Sequence, residues 1–263
     1  MDRFPMYASA MNLYRFGTER AFRWSDPEAR IESPVWRFYW NRKGKARFSI
    51  GGKCVDLEGE RVLLIPPNCP FERLAVTEMD HFFIHFTIRA SFELAESIYE
   101  IRGPESIDFE VLGRLFAACE DGSQGEPCSV LLLQSLLVGV LASFDSSRKR
   151  KDPFELEARA AVDAMLDAGA SVDQLTAATL ARRLMISEKT LSRRFAASLG
   201  TSPGRYLTQA RIEAAALDLL FSQSSIEKVA DRYGFCDRYY FTRVFKKRYG
   251  VGPAGYRSLA RSG

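Results

Sequence analysis

Apolar positions recur with a period of two along the first part of this chain and with a period of three to four along the rest. From Trp36 to Ile88 the runs WRFYW, ARFSI, KCVDL, RVLLIPP and HFFIHFTI are rich in aromatic and β-branched residues. They are separated by Lys43-Gly44, Gly51-Gly52, Glu58-Gly59 and Pro66-Pro67-Asn68. Short runs at roughly ten-residue spacing predict the strands of a small antiparallel barrel or double sheet. Alternation puts Trp36, Phe38 and Trp40 on one face of their strand and Arg37, Tyr39 and Asn41 on the other; likewise His81, Phe83 and His85 oppose Phe82, Ile84 and Phe86. The period does not say which face is inside. A barrel mouth lined by such residues has the apolar walls and few polar groups of a small-molecule pocket, and the candidate effector-binding residues are Phe38, Trp40, His81, Phe83 and His85. The same residues serve equally well as plain core.

Helical spacing takes over at Ser91–Ile101, at Asp108–Cys119 and at Cys128–Phe144, the last being apolar on more than one side. Excess apolar surface on that third helix predicts burial against its own domain and against a second subunit, although a helix buried wholly in its own domain has the same pattern. Asp145–Pro153 (DSSRKRKDP) is polar, charged and ended by proline, and predicts the linker between a domain at 1–144 and a second at 154–263. A helix then runs from Phe154 to about Ala168.

Beyond Thr176 an order of elements occurs twice. Ser225 caps a short helix with Ile226, Val229 and Tyr233 inward; Gly234 stops it, and Asp237 caps a second helix that Gly250 and Pro253 end. Phe241, Val244, Phe245 and Tyr249 lie on the inner side of that second helix, with Arg238, Tyr239, Thr242, Arg243, Lys246 and Lys247 on the outer side. About fifty residues earlier, Leu180–Leu207 repeats the plan: Ala181 matches Ala230, Leu191 matches Phe241, Arg193 matches Arg243, Phe195 matches Phe245, Gly200 matches Gly250, Pro203 matches Pro253 and Tyr206 matches Tyr256. Ser187 caps the corresponding second helix, whose outer side carries Lys189, Thr190, Ser192, Arg193 and Arg194. Short helix, tight turn and basic second helix form a helix-turn-helix shaped for a major groove. Between the two modules Ser202–Phe221 predicts a rigid strut. A spacing of about 34 Å, one DNA turn, would let one chain read two successive grooves.

Charge sharpens this division. Residues 153–263 carry 17 basic against 11 acidic residues, a net +6, whereas residues 1–152 carry 20 against 22, a net −2. The positive half is the half with the repeated module, as a nucleic-acid partner requires. Arg193 and Arg243 are forks suited to guanine O6 and N7; Ser192, Thr242 and Tyr239 suit further base contacts, and Lys246, Lys247 and Arg194 suit phosphates. Five scattered cysteines without a C-x-x-C pair argue against a disulfide framework or zinc site, and two histidines cannot build a three-histidine metal centre. A metal-dependent enzyme is therefore not expected, and neither is a cofactor or metal. No apolar run is long enough to span a bilayer, so a cytoplasmic protein is expected.

The motifs RIEAAALDLL, IEKVADRYGF, YYFTRVFKKRYGVGP-x-x-YR and LARRLMIS-x-x-x-LSRRF resemble the AraC/XylS family of bacterial transcription regulators over about residues 172–257. KGKARFSIGGK, VLLIPPN and FFIHF resemble that family's cupin-like sensor domain over about residues 35–90. Where the family often has histidine after the proline of its PP-x-x-P turn, this chain has Phe71. Met185 stands where glycine is common, which predicts a looser first turn. The resemblance implies an α+β two-domain protein, with an N-terminal cupin-like antiparallel β-barrel plus helices and a C-terminal all-α tandem helix-turn-helix domain. It further implies binding to double-stranded promoter DNA, usually as an activator contacting RNA polymerase, as a homodimer, with a sugar or related metabolite as effector. An alternative keeps the DNA-binding role and makes the barrel only a structural or protein-interaction module.

Overall fold

The structure is a computed structural model that describes residues 11–24, 30–88, 99–102, 107–142, 152–169, 174–235 and 237–261. The chain divides into two compact units, meeting between Lys149 and Arg150.

Among its described residues the first unit has nine strands, β1 (Met11–Phe22), β2 (Arg30–Ile31), β3 (Trp36–Lys43), β4 (Ala46–Ile50), β5 (Lys53–Leu57), β6 (Arg61–Ile65), β7 (Phe71–Val76), β8 (Met79–Ile88) and β9 (Tyr99–Arg102), and helices α1 (Phe109–Asp121) and α2 (Pro127–Ala142). The strands form a five-stranded sheet in the order β1-β8-β3-β6-β9 and a four-stranded sheet in the order β2-β7-β4-β5. All the paired strands are antiparallel. At the β3–β4 turn Gly44 has φ +81°, and a Cβ there would lie 2.7 Å from Met79 Cα, so only glycine fits.

Period-two alternation divides the apolar side chains of the larger sheet between two cores. Trp36, Phe38, Trp40, Val62, Leu64, Phe82, Ile84 and Phe86 face α1 and α2, where they meet Leu112, Leu115, Phe116, Leu133 and Leu137. Tyr39, Leu63, Ile65 and Phe83 face the smaller sheet and pack with Trp24, Phe48, Ile50, Leu57 and Phe71. The larger sheet is thus covered on both faces.

Among its described residues the second unit is all helical: α3 (Pro153–Asp167), α4 (Ala177–Arg183), α5 (Glu188–Leu199), α6 (Pro203–Phe221), α7 (Ile226–Arg232), α8 (Arg238–Tyr249) and α9 (Pro253–Arg261). Asp152, Thr176, Ser187, Ser202, Ser225 and Asp237 each accept at least one backbone N–H at the start of a helix, satisfying donors that would otherwise be unpaired. Helix α6 contributes Leu207 and Ala210 to a core with α3, α4 and α5. Its second half contributes Ile212, Ala215, Ala216 and Leu219 to a core with α7, α8 and α9. Phe245 is fully buried in the latter, with the rings of Phe241, Tyr249 and Tyr256 centred 5.5, 4.9 and 5.1 Å away. Truncating such a side chain costs about 3–5 kcal/mol, a large share of a domain's total stability.

The structure corrects several expectations. Tyr99–Arg102 is a strand and not the end of a helix; residues 91–98 of that expected helix, and 143–151 of the expected linker, lie outside the described residues. Strands β1 and β7 are further additions to the runs seen in the sequence: register shifts at Leu13/Arg15 and Glu19/Phe22 break the alternation of β1, and β7 turns Arg73 inward. Pro253 opens helix α9 rather than merely closing α8, just as Pro203 opens α6.

The two helix-turn-helix turns are equally tight. Met185 N–H donates to Arg182 O at 3.1 Å and Ile186 N–H to Ala181 O at 3.0 Å; the counterparts are Gly234 to Asp231 at 2.9 Å and Phe235 to Ala230 at 2.9 Å. Met185 achieves this in the left-handed region, φ +54°, with its side chain 90% exposed. Met185→Gly therefore removes backbone strain and loses little packing. The variant is expected to gain about 1 kcal/mol in the stability of the second unit, read as a higher urea midpoint at unchanged m-value.

Candidate functional site

Helices α5 and α8 carry the outward basic residues. Leu191 and Phe195 on α5, and Phe241 and Phe245 on α8, are fully buried, which fixes the rotation of each helix. The same rotation turns Lys189, Ser192, Arg193 and Arg194 outward on α5, and Tyr239, Arg243, Lys246 and Lys247 outward on α8, all exposed. Tyr239 is 83% exposed, unusual for an aromatic side chain.

Neighbouring groups modify individual positions. Thr190 and Thr242 are half-buried, and the Thr190 hydroxyl lies 2.9 Å from Ser187 Oγ within the cap of α5. Arg194 lies over the Phe154 ring at 5.4 Å, and Asp152, bonded to Ser198, holds its carboxyl below the usual range with help from Arg194. Arg194 thus ties α5 to the start of α3. Arg243 lies over the Tyr240 ring at 5.5 Å, and Arg238 pairs with Glu227. Lys189, Arg193, Arg243, Lys246 and Lys247 make no ion pair among the described residues.

The acids of the strut, by contrast, are matched internally. Glu213 pairs with Arg159 at 3.3 Å and accepts from Gln209 at 3.1 Å, and Asp218 pairs with Arg232. Arg211, which the sequence pattern did not single out, donates from Nε to Tyr233 O at 2.6 Å and also bonds Gly234 O. Its guanidinium lies over Phe235 at 4.4 Å. It pins the second turn directly to α6; an arginine in an otherwise Ala/Leu-rich helix was the available signal.

The candidate effector residues separate. Phe38 and Trp40 face the helices, and Trp40 Nε1 donates to Gly59 O at 3.1 Å. His81, Phe83 and His85 face the space between the sheets, joined across the β3–β8 ladder by Asn41, Tyr39 and Arg37. Phe38 and Trp40 therefore do not belong to the same face as the histidines, and Arg37, Tyr39 and Asn41 do. Asn41 Nδ2 donates to Leu57 O at 3.1 Å, which leaves Oδ1 to accept from His81 Nδ1 at 2.8 Å. His85 Nε2 accepts from Arg37 Nη1 at 3.0 Å, since a guanidinium only donates. Both histidines are neutral: burial pushes His81 down to about 3, with the Arg73 charge adding to it, and burial with the Arg37 and Arg15 charges lowers His85 well below its ordinary value.

A helix-turn-helix domain family matches residues 180–258. The arabinose operon regulatory protein of Salmonella typhimurium is 30% identical over 150 residues, 57% of this chain and 52% of that protein. The HTH-type transcriptional activator RhaS of Yersinia pestis is 34% identical over 79 residues, 30% of this chain and 29% of that protein. The chain thus spans about half or less of the length of these curated relatives. ToxT from Vibrio cholerae superposes with a TM-score of 0.56 over 95% of this chain and 98% of that chain, at 13% identity. Its unsaturated fatty acid bound form gives 0.55 over 95% and 94%, at 16% identity, a likeness of fold alone. Fold and repeated site define a tandem helix-turn-helix protein with an N-terminal β-barrel. Within that class the matched stretch, residues 180–258, is the helix-turn-helix part, and it is there that the chain is similar to curated transcriptional regulators.

Neutral buried histidines make the barrel sensitive to acid. Their folded pKa values lie below the unfolded value near 6.5, so the unfolded chain binds more protons and stability falls as pH drops below that value. Going from pH 7 to pH 5.5, above the range of ordinary carboxylates, is expected to cost about 2 kcal/mol for the two histidines together. Urea titrations across this interval check it, and a His81→Gln variant should show about half the slope.

Proposed function

We propose that this chain is a sequence-specific DNA-binding regulator of transcription whose barrel takes a small-molecule effector. The observation that carries the DNA reading is the repeated module itself: two capped helices, each backed by a buried Leu/Phe or Phe/Phe pair, expose Arg193 and Arg243 at matching positions. Helix α6 belongs to both cores, so the two helices are presented as one rigid piece. The names of the curated relatives, an operon regulatory protein and a transcriptional activator, support a role in transcription regulation; activation by contact with RNA polymerase at a promoter is part of the proposal. A cytoplasmic location is part of the proposal; among the described residues no helix is long and apolar enough to cross a membrane. The ToxT form bound to a fatty acid supports an effector role for a barrel of this fold.

A homodimer is part of the proposal. Helix α2 has no charged residue from Pro127 to Ala142, and it exposes Leu131 (64%) and Val138 (58%), seven residues apart and hence on one face. Leu131→Glu is expected to shift the full chain from dimer to monomer in sedimentation velocity without loss of helical signal. A variant that remains dimeric would remove α2 as the interface.

For DNA, Arg193→Ala and Arg243→Ala are each expected to cost about 1–3 kcal/mol of binding to the selected site and to relax preference for a guanine there. Lys246→Ala should weaken binding to all sequences alike and reduce the salt slope by about 1. Site selection from a promoter library followed by titration at several salt concentrations reads both effects. Unchanged site affinity in the Arg243→Ala chain would sink the assignment.

A further inference from the structure

The two modules match in their cores and differ on their outer faces. In each second helix the central arginine, Arg193 or Arg243, is followed three and four residues on by a pair that shares its face. In α8 that pair is Lys246 and Lys247, both exposed; in α5 it is Ala196 and Ala197, exposed as well. Helix α5 carries three basic residues and one acidic, whereas α8 carries five basic and none acidic.

The two lysines are not required by the helix that bears them. Cations in a last turn offset the helix dipole, yet α5 has no basic residue in its last turn and ends in the same left-handed glycine, Gly200 at φ +61° against Gly250 at +78°. Nor does the protein occupy them, since Lys246 and Lys247 make no ion pair among the described residues.

The other charges of the first module do not replace them. Arg194 lies over the Phe154 ring at the start of α3, 5.4 Å away, and Glu188 sets an exposed carboxylate beside Lys189. Arg182 and Arg183 end α4, but the residues at the matching positions of α7 are Asp231 and Arg232. Asp231 is exposed, and Arg232 is paired with Asp218. A face set against phosphates in both modules would not carry a lone carboxylate in one of them. Lys189 and Arg193 remain, in the first half of α5, the part of such a helix that meets base edges.

Phosphate contacts hold a protein on any sequence, and base contacts add to this only on the right one. We propose that the second module supplies the hold on DNA of arbitrary sequence, through Lys246 and Lys247 on phosphates, and that the first module adds binding where the operator presents its bases. The inference rests on the DNA reading above and assigns its two components to different helices.

Fluorescence anisotropy of the full chain on a random-sequence duplex, from about 50 to about 200 mM salt, tests it. Lys246→Ala/Lys247→Ala is expected to weaken this binding about 10- to 100-fold and to lower the slope of log K against log salt by about 2. Lys189→Ala/Arg194→Ala removes the same charge from α5 and is expected to lower the slope by less than about 1. Ala196→Lys/Ala197→Lys puts the lysine pair on α5 and is expected to raise the slope by about 2 while reducing the ratio of operator to random-sequence affinity. All of these positions are exposed, so each variant is expected to keep the helical signal of the parent chain. Equal slope changes from the two alanine pairs, a larger change from the α5 pair, or no rise with the added lysines overturns the proposal and leaves the DNA reading in place. Binding that ignores salt, with no operator selected from the library, removes the DNA reading and the proposal with it.

Discussion

The burial of helix α6 in two cores at once is the constraint on which the helical half depends. Its first half closes the core of α3, α4 and α5, and its second half closes that of α7, α8 and α9. A helix gripped along its length cannot rotate for one module without disturbing the other. Helices α5 and α8 therefore inherit a fixed mutual geometry from apolar packing, the largest favourable term available to a domain of this size. Arg211 and Arg257 extend the grip by bonding backbone carbonyls: Arg211 at the second turn, and Arg257 at Ser224, 2.6 Å away.

Electrostatics follows from the same packing. The acids of α6 are consumed by Arg159 and Arg232, so they do not offset the basic residues of α5 and α8. Those charges stay solvated at the surface, where they cost little, and are available to phosphates and base edges. The barrel takes the opposite course. There the side chains of Arg37 and Arg73 are buried beside two neutral histidines.

Much of this was legible in the sequence wherever a local rule and the global fold agree. Capping residues Ser187, Ser225 and Asp237, the Phe195/Phe245 match and the strand runs from Trp36 to Ile88 all have one strong local reading. The parts that were missed are those where local signals conflict. Strand β1 is interrupted by bulges, β7 hides an inward arginine, and α9 begins at a proline taken only as a stop. Alternation paired the faces of β3 and β8 correctly within each strand but could not say which face meets the helices. Phe38 and Trp40 were accordingly grouped with histidines that lie on the other side of the sheet. Met185 shows a further limit: the turn it occupies is set by the flanking cores, which hold a residue other than glycine at positive φ.

Methylation interference on the selected operator with the full chain tests the central claim, that one rigid unit presents two recognition helices together. The account predicts two clusters of guanine N7 contacts on one face of the duplex, about one helical turn apart, with Arg193→Ala erasing one and Arg243→Ala the other. A single cluster, or two whose spacing varies from site to site, would contradict it.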